Sequence, residues 1–275
     1  MTTDTFLREA TKHLAASGIG TARLDCLVLL EDILMTDRAI LLAHPETKLK
    51  APQLAALQKA IVRRSRHEPL GYIRGKAPFY KRLFVVNKNV LVPRPESESI
   101  INLLLCIPLA REDSVLHIAD IGTGSGCLGI TAGLELPHSK VTLCDIDPAA
   151  LNIAVHNAHV HALTVNVRQT NLINDLRDER LDIILTNLPY VRGGQSINNA
   201  AAHEPSLALF GGKDGLQLYR QFWQELAHRA QKPLHVITES FPAQHKAQAA
   251  LARTANYQLV LAEGFAQHFV HQTNR

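Results

Sequence analysis

VLHIADIGTGSGCLGI, residues 115–130, couples an apolar run to a turn built on alternating glycines. Residues 115–120 have the composition of a buried strand, and Gly122, Gly124 and Gly126 interrupt the chain before a helical stretch begins. The same texture recurs at 141–145 (VTLCD), 165–169 (VNVRQ), 181–186 (LDIILT), 234–239 (LHVITE) and 257–262 (YQLVLA). Helical stretches lie between them, notably 148–160, where Asp147 is placed as N-cap and Pro148 fits the first turn. Near-continuous apolar strands separated by helices predict an α/β fold with a parallel sheet covered on both faces.

Upstream the pattern is different. Residues 4–66 read as helices, with one apolar stripe at Leu7, Ala10, Thr11 and Leu14 and a denser one at Leu24, Leu27, Val28, Leu30 and Leu34. Pro45 and Pro52 punctuate that run, and Leu54, Leu57 and Ile61 continue it. Residues 76–92 (KAPFYKRLFVVNKNVLV) turn aromatic and β-branched around an Asn-Lys-Asn break and predict a hairpin. Pro93 and Pro95 close it and can open a helix, with Glu96 and Glu98 near its positive end. The segment 191–215 is the least regular, and a loop of that length in a compact domain is usually functional.

The composition excludes several classes. The chain has 275 residues, 46% hydrophobic and 20% charged, with 29 Lys+Arg against 25 Asp+Glu. Those values fit an ordinary globular protein rather than a disordered one. No stretch approaches the ~20 apolar residues of a membrane span, and the N-terminus shows no secretory pattern. Four cysteines without CxxC spacing suit a reducing, cytosolic setting. Beneath the net charge of +4, residues 51–95 carry ten Lys/Arg and one acid, Glu68, an excess that predicts a docking surface.

The glycine loop lies outside the carboxyl end of a strand, where open α/β sheets bind ligands. Gly124-x-Gly126-x-x-Gly129 also satisfies the dinucleotide pattern, so a dehydrogenase stays open on this evidence. Asp145 ends the next strand, where a carboxylate can accept from both ribose hydroxyls of a nucleoside. Nicotinamide cofactors and S-adenosylmethionine share that ribose. Asn187-Leu188-Pro189-Tyr190, after the fourth strand, separates the two. A planar amide or exocyclic nitrogen is a poor nucleophile, and a site that methylates it must hold the NH2 with acceptors. The Asn187 side-chain oxygen and the Leu188 carbonyl are such acceptors, Pro189 stiffens the turn, and the Tyr190 ring offers a stacking face.

With these motifs the sequence resembles the release-factor glutamine methyltransferases, which methylate the side-chain amide of the Gly-Gly-Gln glutamine in peptide-chain release factors. The resemblance rests on Arg63-Arg64, on Glu68-Pro69-Leu70-Gly71-Tyr72-Ile73-Arg74-Gly75 and on Val92-Pro93-Arg94-Pro95-Glu96-Ser97-Glu98. It continues through the glycine loop, Asp145 and Asn187 to Tyr190, then His203-Glu204-Pro205, Asp214-Gly215-Leu216, Tyr219-Arg220 and Glu239. It implies a Rossmann-like seven-stranded methyltransferase domain (93–275), a small N-terminal all-helical domain that engages the release factor (1–75), and a joining β-hairpin (76–92). It further implies that S-adenosylmethionine is bound by Gly122, Thr123, Gly124, Ser125, Gly126, Asp145, Asn171, Leu172 and Asn187, without a metal. Asn187, Leu188, Pro189 and Tyr190 would form the catalytic motif, with Arg94, Glu96 and Glu204 shaping the entrance. A cytoplasmic monomer that meets neither membrane nor nucleic acid directly is expected.

The chain departs from the family at Leu188, usually Pro, at Asn171, usually an acid, and at Leu172, often aromatic; the usual Arg near the end is missing. The Asn-Leu-Pro-Tyr form also resembles some rRNA adenine methyltransferases, which keeps an N6-adenine methyltransferase acting on DNA or rRNA as the alternative. His156, His159 and His161 lack an acid or Cys at ligand spacing and read as a solvated helix face. Cys127 follows the glycine loop at a helix start, which can lower a thiol pKa, although a small packing residue is the plainer role.

Overall fold

The N-terminal sequence folds as helices α1 (Thr3–Ala16), α2 (Ala22–Leu34), α3 (Arg38–Ala43), α4 (Ala51–Ser65) and α5 (Leu70–Arg74). The computed structural model describes residues 1–108, 115–177 and 179–272. By its contacts the chain divides into two units, one of Met1–Lys76 with Ile197–His203 and one of Ala77–Ser196 with Glu204–Arg275. In the first, the Thr2 hydroxyl caps α1 by accepting from the Thr5 amide, and Pro52 starts α4. Phe6, Ala10 and Leu14 of α1 pack with Cys26, Leu29 and Leu30 of α2 and Leu57 and Ile61 of α4. Leu24, expected on the inner stripe, is instead exposed, because the buried arc of α2 runs through Cys26, Leu29 and Leu30. From the long irregular segment, Ala201 is buried in this unit and His203 bonds the Arg66 carbonyl at 3.0 Å.

The second unit opens with strands β1 (Lys76–Phe79) and β2 (Arg82–Val85), which form a two-stranded sheet. Their turn is Tyr80-Lys81, both at positive φ as a type I′ turn requires. The Asn-Lys-Asn break expected to make that turn lies further on, where the Val90 amide bonds the Asn87 carbonyl in a separate turn. The Glu98 carboxylate explains part of the difference, since it accepts from the Tyr80 amide at 2.8 Å and holds the turn from outside.

The remaining elements are α6 (Glu98–Leu105), β3 (Leu116–Ile121), α7 (Cys127–Glu135), β4 (Ser139–Asp145), α8 (Pro148–Val160), β5 (Val165–Gln169), β6 (Ile183–Thr186), α9 (Gln217–His228), β7 (His235–Glu239), α10 (His245–Thr254), β8 (Tyr257–Glu263) and β9 (Ala266–His271). They build a seven-stranded sheet in the order β5-β4-β3-β6-β7-β9-β8, parallel from β5 to β7, with β9 antiparallel between β7 and β8. This is the α/β Rossmann-like arrangement. Ile118 and Ile183 face a layer that includes Ile100, Leu104 and Leu128; Ala119 and Ile184 face Phe222 and Trp223. Trp223 packs on Tyr257 and Phe269 and donates its indole N–H to Gln248 at 3.0 Å, so the ring's one polar atom is satisfied.

A side chain of α8 ties the hairpin to the glycine loop. Asn157 of α8 is buried; it accepts from the Val85 amide at 2.7 Å and donates to the Val85 and Ser125 carbonyls at 2.9 and 2.8 Å. It occupies the place a neighbouring strand would take. Asn157→Ala leaves the buried Ser125 carbonyl and the half-buried Val85 amide and carbonyl without this partner, and at on the order of 1–3 kcal/mol for each unsatisfied group urea denaturation should show a loss of about 3 kcal/mol or more.

His235 and His268 lie side by side on β7 and β9, Nδ1 to Nε2 at 2.9 Å. Burial lowers the pKa of both, and His235 helps press His268 to about 4. In the unfolded chain each titrates near ~6.5. The folded values are the lower ones, so this contribution is fully present above the unfolded pKa and is lost as pH falls from there toward the folded values. The urea midpoint should therefore drop between pH 7 and pH 5, and His268→Gln should flatten that drop.

Candidate active site

The strand register alone sets four residues in a row. Ile121 at the end of β3 pairs with Cys144 of β4 on one side and Thr186 of β6 on the other, and Thr186 pairs with Thr238 of β7. The residues that follow, Asp145, Gly122, Asn187 and Glu239, thus emerge together at the carboxyl edge. β3 lies where the chain order reverses, which is the position at which open sheets leave a crevice.

The turn after β3 is shaped by its glycines and by Asp120. Gly122, Gly124 and Gly126 all have positive φ. A Cβ at Gly126 would meet Ile130 at 2.7 Å and Ala154 at 3.2 Å, so that residue sits beneath the loop against α7 and α8. At Gly124 a Cβ would meet nothing within 4 Å, so the loop there stays bare for a ligand. Asp120 is fully buried and accepts from the Thr123 hydroxyl at 2.6 Å and the Gly129 amide at 2.8 Å. Burial pushes its pKa up to about 6 against the pull of those two donors.

Asp145 accepts from the Gly124 amide at 2.9 Å with one oxygen and from the Asp147 amide at 3.0 Å with the other. Burial raises its pKa, and the backbone donors draw it back. Each oxygen keeps a second lone pair, which suits the two hydroxyls of a ribose. Exposed Ile146 and buried Leu172, the latter at positive φ, supply apolar faces nearby, and the Asn171 amide supplies a polar edge. Gly122, Thr123, Gly124, Ser125, Asp145, Asn171, Leu172, Asn187, Leu188 and Pro189 all line one cleft. This donor and acceptor set fits an adenosyl ligand. Cys127 also borders the cleft, yet burial pushes its thiol up to about 12, so desolvation outweighs the helix start.

The Asn187 motif is held from behind. The Leu188 amide donates to the Tyr219 hydroxyl at 3.2 Å, and that hydroxyl donates to the Glu239 carbonyl at 2.5 Å. The Tyr190 carbonyl accepts from Gln244 at 3.0 Å. A Cβ at Gly211 would come within 2.3 Å of the Pro189 carbonyl, so the long segment returns close against the motif. Tyr190 itself is not part of the cleft lining. Its hydroxyl donates to Glu239 Oε1 at 2.8 Å, and its ring meets Phe241 edge-on, centroids 4.8 Å apart. Asn187 donates through Nδ2 to the Ser97 hydroxyl at 3.0 Å. No described residue donates to Asn187 Oδ1 or to the Leu188 carbonyl.

At the rim, Arg94 forms an ion pair with buried Glu204, which also accepts from the Val92 amide at 3.1 Å. Six of the ten basic residues in 51–95 are likewise spent on acids of their own unit. Arg63 pairs with Glu68, Arg64 with Asp25, Arg74 and Lys76 with Asp32, Arg82 with Glu135, and Arg94 with Glu204. The local excess is therefore largely a set of tertiary ion pairs rather than a free docking surface. Ser97, Tyr219 and Glu239 enter the resemblance without a role of their own and Gln244 does not enter it; register and packing bring all four behind the motif.

Residues 5–75 match the PrmC N-terminal domain family, and residues 102–204 match the methyltransferase small domain family. The release factor glutamine methyltransferase of Koribacter versatilis is 38% identical over 225 residues, covering 79% of this chain and 80% of that protein. A bifunctional methyltransferase of Rickettsia bellii is 34% identical over 78% of this chain, which spans 44% of that longer protein. Among solved structures, a methyltransferase from Pyrococcus furiosus has the same fold, with a TM-score of 0.51 at 15% identity, covering 80% of this chain and 97% of that one.

Asp145→Ala should weaken S-adenosylmethionine binding on the order of 10- to 100-fold by calorimetry, as expected when hydrogen bonds to a charged group are lost.

Proposed function

The chain belongs to the release factor glutamine methyltransferase family, and we propose that it methylates the side-chain amide nitrogen, N5, of the Gly-Gly-Gln glutamine in a peptide-chain release factor. The observation that carries this reading is the pair of unfilled acceptors, Asn187 Oδ1 and the Leu188 carbonyl, beside the glycine loop. A primary amide has two N–H bonds, and two acceptors on one turn can take both.

S-adenosylmethionine supplies an electrophilic methyl group when bound. Gly122 to Gly126 would carry its backbone-facing side, Asp145 its ribose, and Asn171 and Leu172 its base. Asn187 and Leu188 would hold the substrate amide in a fixed orientation, which matters because its lone pair is delocalised and attack requires alignment. Pro189, next in the chain, restricts the turn that carries them. Tyr190, expected to offer a stacking face, instead has its hydroxyl anchored on Glu239 and its ring against Phe241, so in this reading it braces the motif from behind. The nitrogen becomes acidic once alkylated, and its proton can leave to solvent without a dedicated base.

Residues 1–75 serve in this reading as the release-factor-binding domain, with 76–92 as the joining hairpin and 93–275 as the catalytic domain. The enzyme would work as a cytoplasmic monomer; among the described residues no helix is long and apolar enough to cross a membrane. An N6-adenine methyltransferase acting on DNA or rRNA is favoured by the Asn-Leu-Pro-Tyr form and the basic segment, and the ion pairs of residues 51–95 weaken the second of these.

Purified release factor should accept label from methyl-tritiated S-adenosylmethionine, and rRNA and DNA should not; label on nucleic acid alone would overturn the assignment. Asn187→Ala should lower kcat on the order of 100-fold, comparable to removal of an oriented hydrogen-bonding group elsewhere in catalysis.

A further inference from the structure

An asparagine amide is nearly symmetric in shape and opposite in polarity at its two ends, so a half-turn exchanges an acceptor for a donor. For Asn187 that half-turn decides whether the cleft presents an oxygen or an NH2. The surroundings of its far end make the choice.

The pairing of Thr186 with Thr238 sets Asn187 beside Glu239. Glu239 has no solvent exposure, and Oε1 takes the Tyr190 hydroxyl at 2.8 Å. Oε2 is buried without a hydrogen bond of ordinary geometry. Besides Tyr190, the groups placed to lower this carboxyl's burial-raised pKa are the Ser97 hydroxyl and the Asn187 amide. Ser97 is itself buried and receives Asn187 Nδ2 at 3.0 Å. Its hydroxyl has one hydrogen. Turned toward the carboxylate, that hydrogen leaves the Ser97 lone pairs facing Asn187, where they select the NH2 end. A flipped Asn187 would set its oxygen against the Ser97 oxygen and the Glu239 carboxylate, acceptor against acceptor.

We propose that Ser97 and Glu239 are positioning residues, which lock the Asn187 amide with Nδ2 turned inward and Oδ1 presented to the substrate amide. This rests on the reading of Asn187 as the substrate's acceptor. Ser97 borders the cleft with its hydroxyl taken up by the Asn187 amide, and Glu239 does not line the cleft. Glu239 acts as the acceptor at the far end, facing the hydroxyls of Tyr190 and Ser97, and Ser97 passes that polarity across one hydroxyl.

Glu239→Gln tests the polarity with almost no change in shape. Its amide can offer hydrogens to Ser97, which frees the Ser97 hydroxyl to donate to Asn187 and favours the flipped form. With full-length enzyme and purified release factor, Glu239→Gln and Ser97→Ala should each lower kcat by about 10-fold or more, the scale of a misaligned reacting group. The KM for release factor and the calorimetric Kd for S-adenosylmethionine should stay within about twofold, because the glycine loop and Asp145, the main cofactor contacts in this reading, are not altered. Ser97→Thr, which keeps the hydroxyl, should restore most of the rate lost in Ser97→Ala. Should Glu239→Gln fail to fold, the Ser97 pair decides the matter alone. Wild-type kcat in Ser97→Ala, no recovery in Ser97→Thr, or a loss confined to S-adenosylmethionine affinity would overturn the positioning role. If those results came with an inactive Asn187→Ala, the methylation reading would stand and this one would fall. Full activity of Asn187→Ala would remove both.

Discussion

Parallel pairing at the ends of β4, β3, β6 and β7 is the constraint on which the site depends. The register Cys144–Ile121–Thr186–Thr238 fixes which residues come next, and those residues are the ones proposed to carry the chemistry. A slip of one residue in a strand sends its side chains to the opposite face. The alternation of Ile118 with Ala119 and of Ile183 with Ile184 between two packed layers holds the register against that slip. The apolar layers thus do more than stabilise the sheet. They set the distance between the glycine turn after β3 and the Asn187 turn after β6, which the bond from the Thr186 hydroxyl to the Ile121 carbonyl joins across 65 residues of sequence.

Most of this sheet was legible in the sequence because its central strands are buried on both sides and so read as unbroken apolar runs. β9 was not, and the reason lies in Gln267 and His268. Both are buried, and they put polar letters where a strand pattern expects apolar ones. The hairpin turn escaped for a related reason. Tyr80 and Lys81 are poor candidates for positive φ, and what keeps them there is a carboxylate from Glu98, distant in sequence. Local composition pointed to Asn87 to Asn89, whose residues do make a turn, though not the one that joins the strands.

At the candidate site, the glycines of the loop and Asp145 announced themselves by type and spacing. The residues behind them did not. Ser97 lies in a proline-rich stretch whose charges drew attention instead, and Glu239 ends a strand like many acids that simply face water. Charge counting misled in the same way, since the run of arginines from 63 to 94 looked unmatched until Asp25, Asp32, Glu135 and Glu204 came into place. Tertiary partners are invisible to any window of sequence.

The triple bond made by Asn157 has a practical meaning for anyone wishing to excise the catalytic part. A fragment begun at Pro93 would keep every strand of the large sheet and the whole glycine loop. It would also discard Val85, leaving the Asn157 carboxamide with the Ser125 carbonyl as its one remaining partner of the three. Ser125 belongs to the glycine loop, so the loop's far end would rest on a side chain free to turn. The minimal unit for expression or domain grafting therefore starts at the first strand of the hairpin rather than at the prolines that follow it.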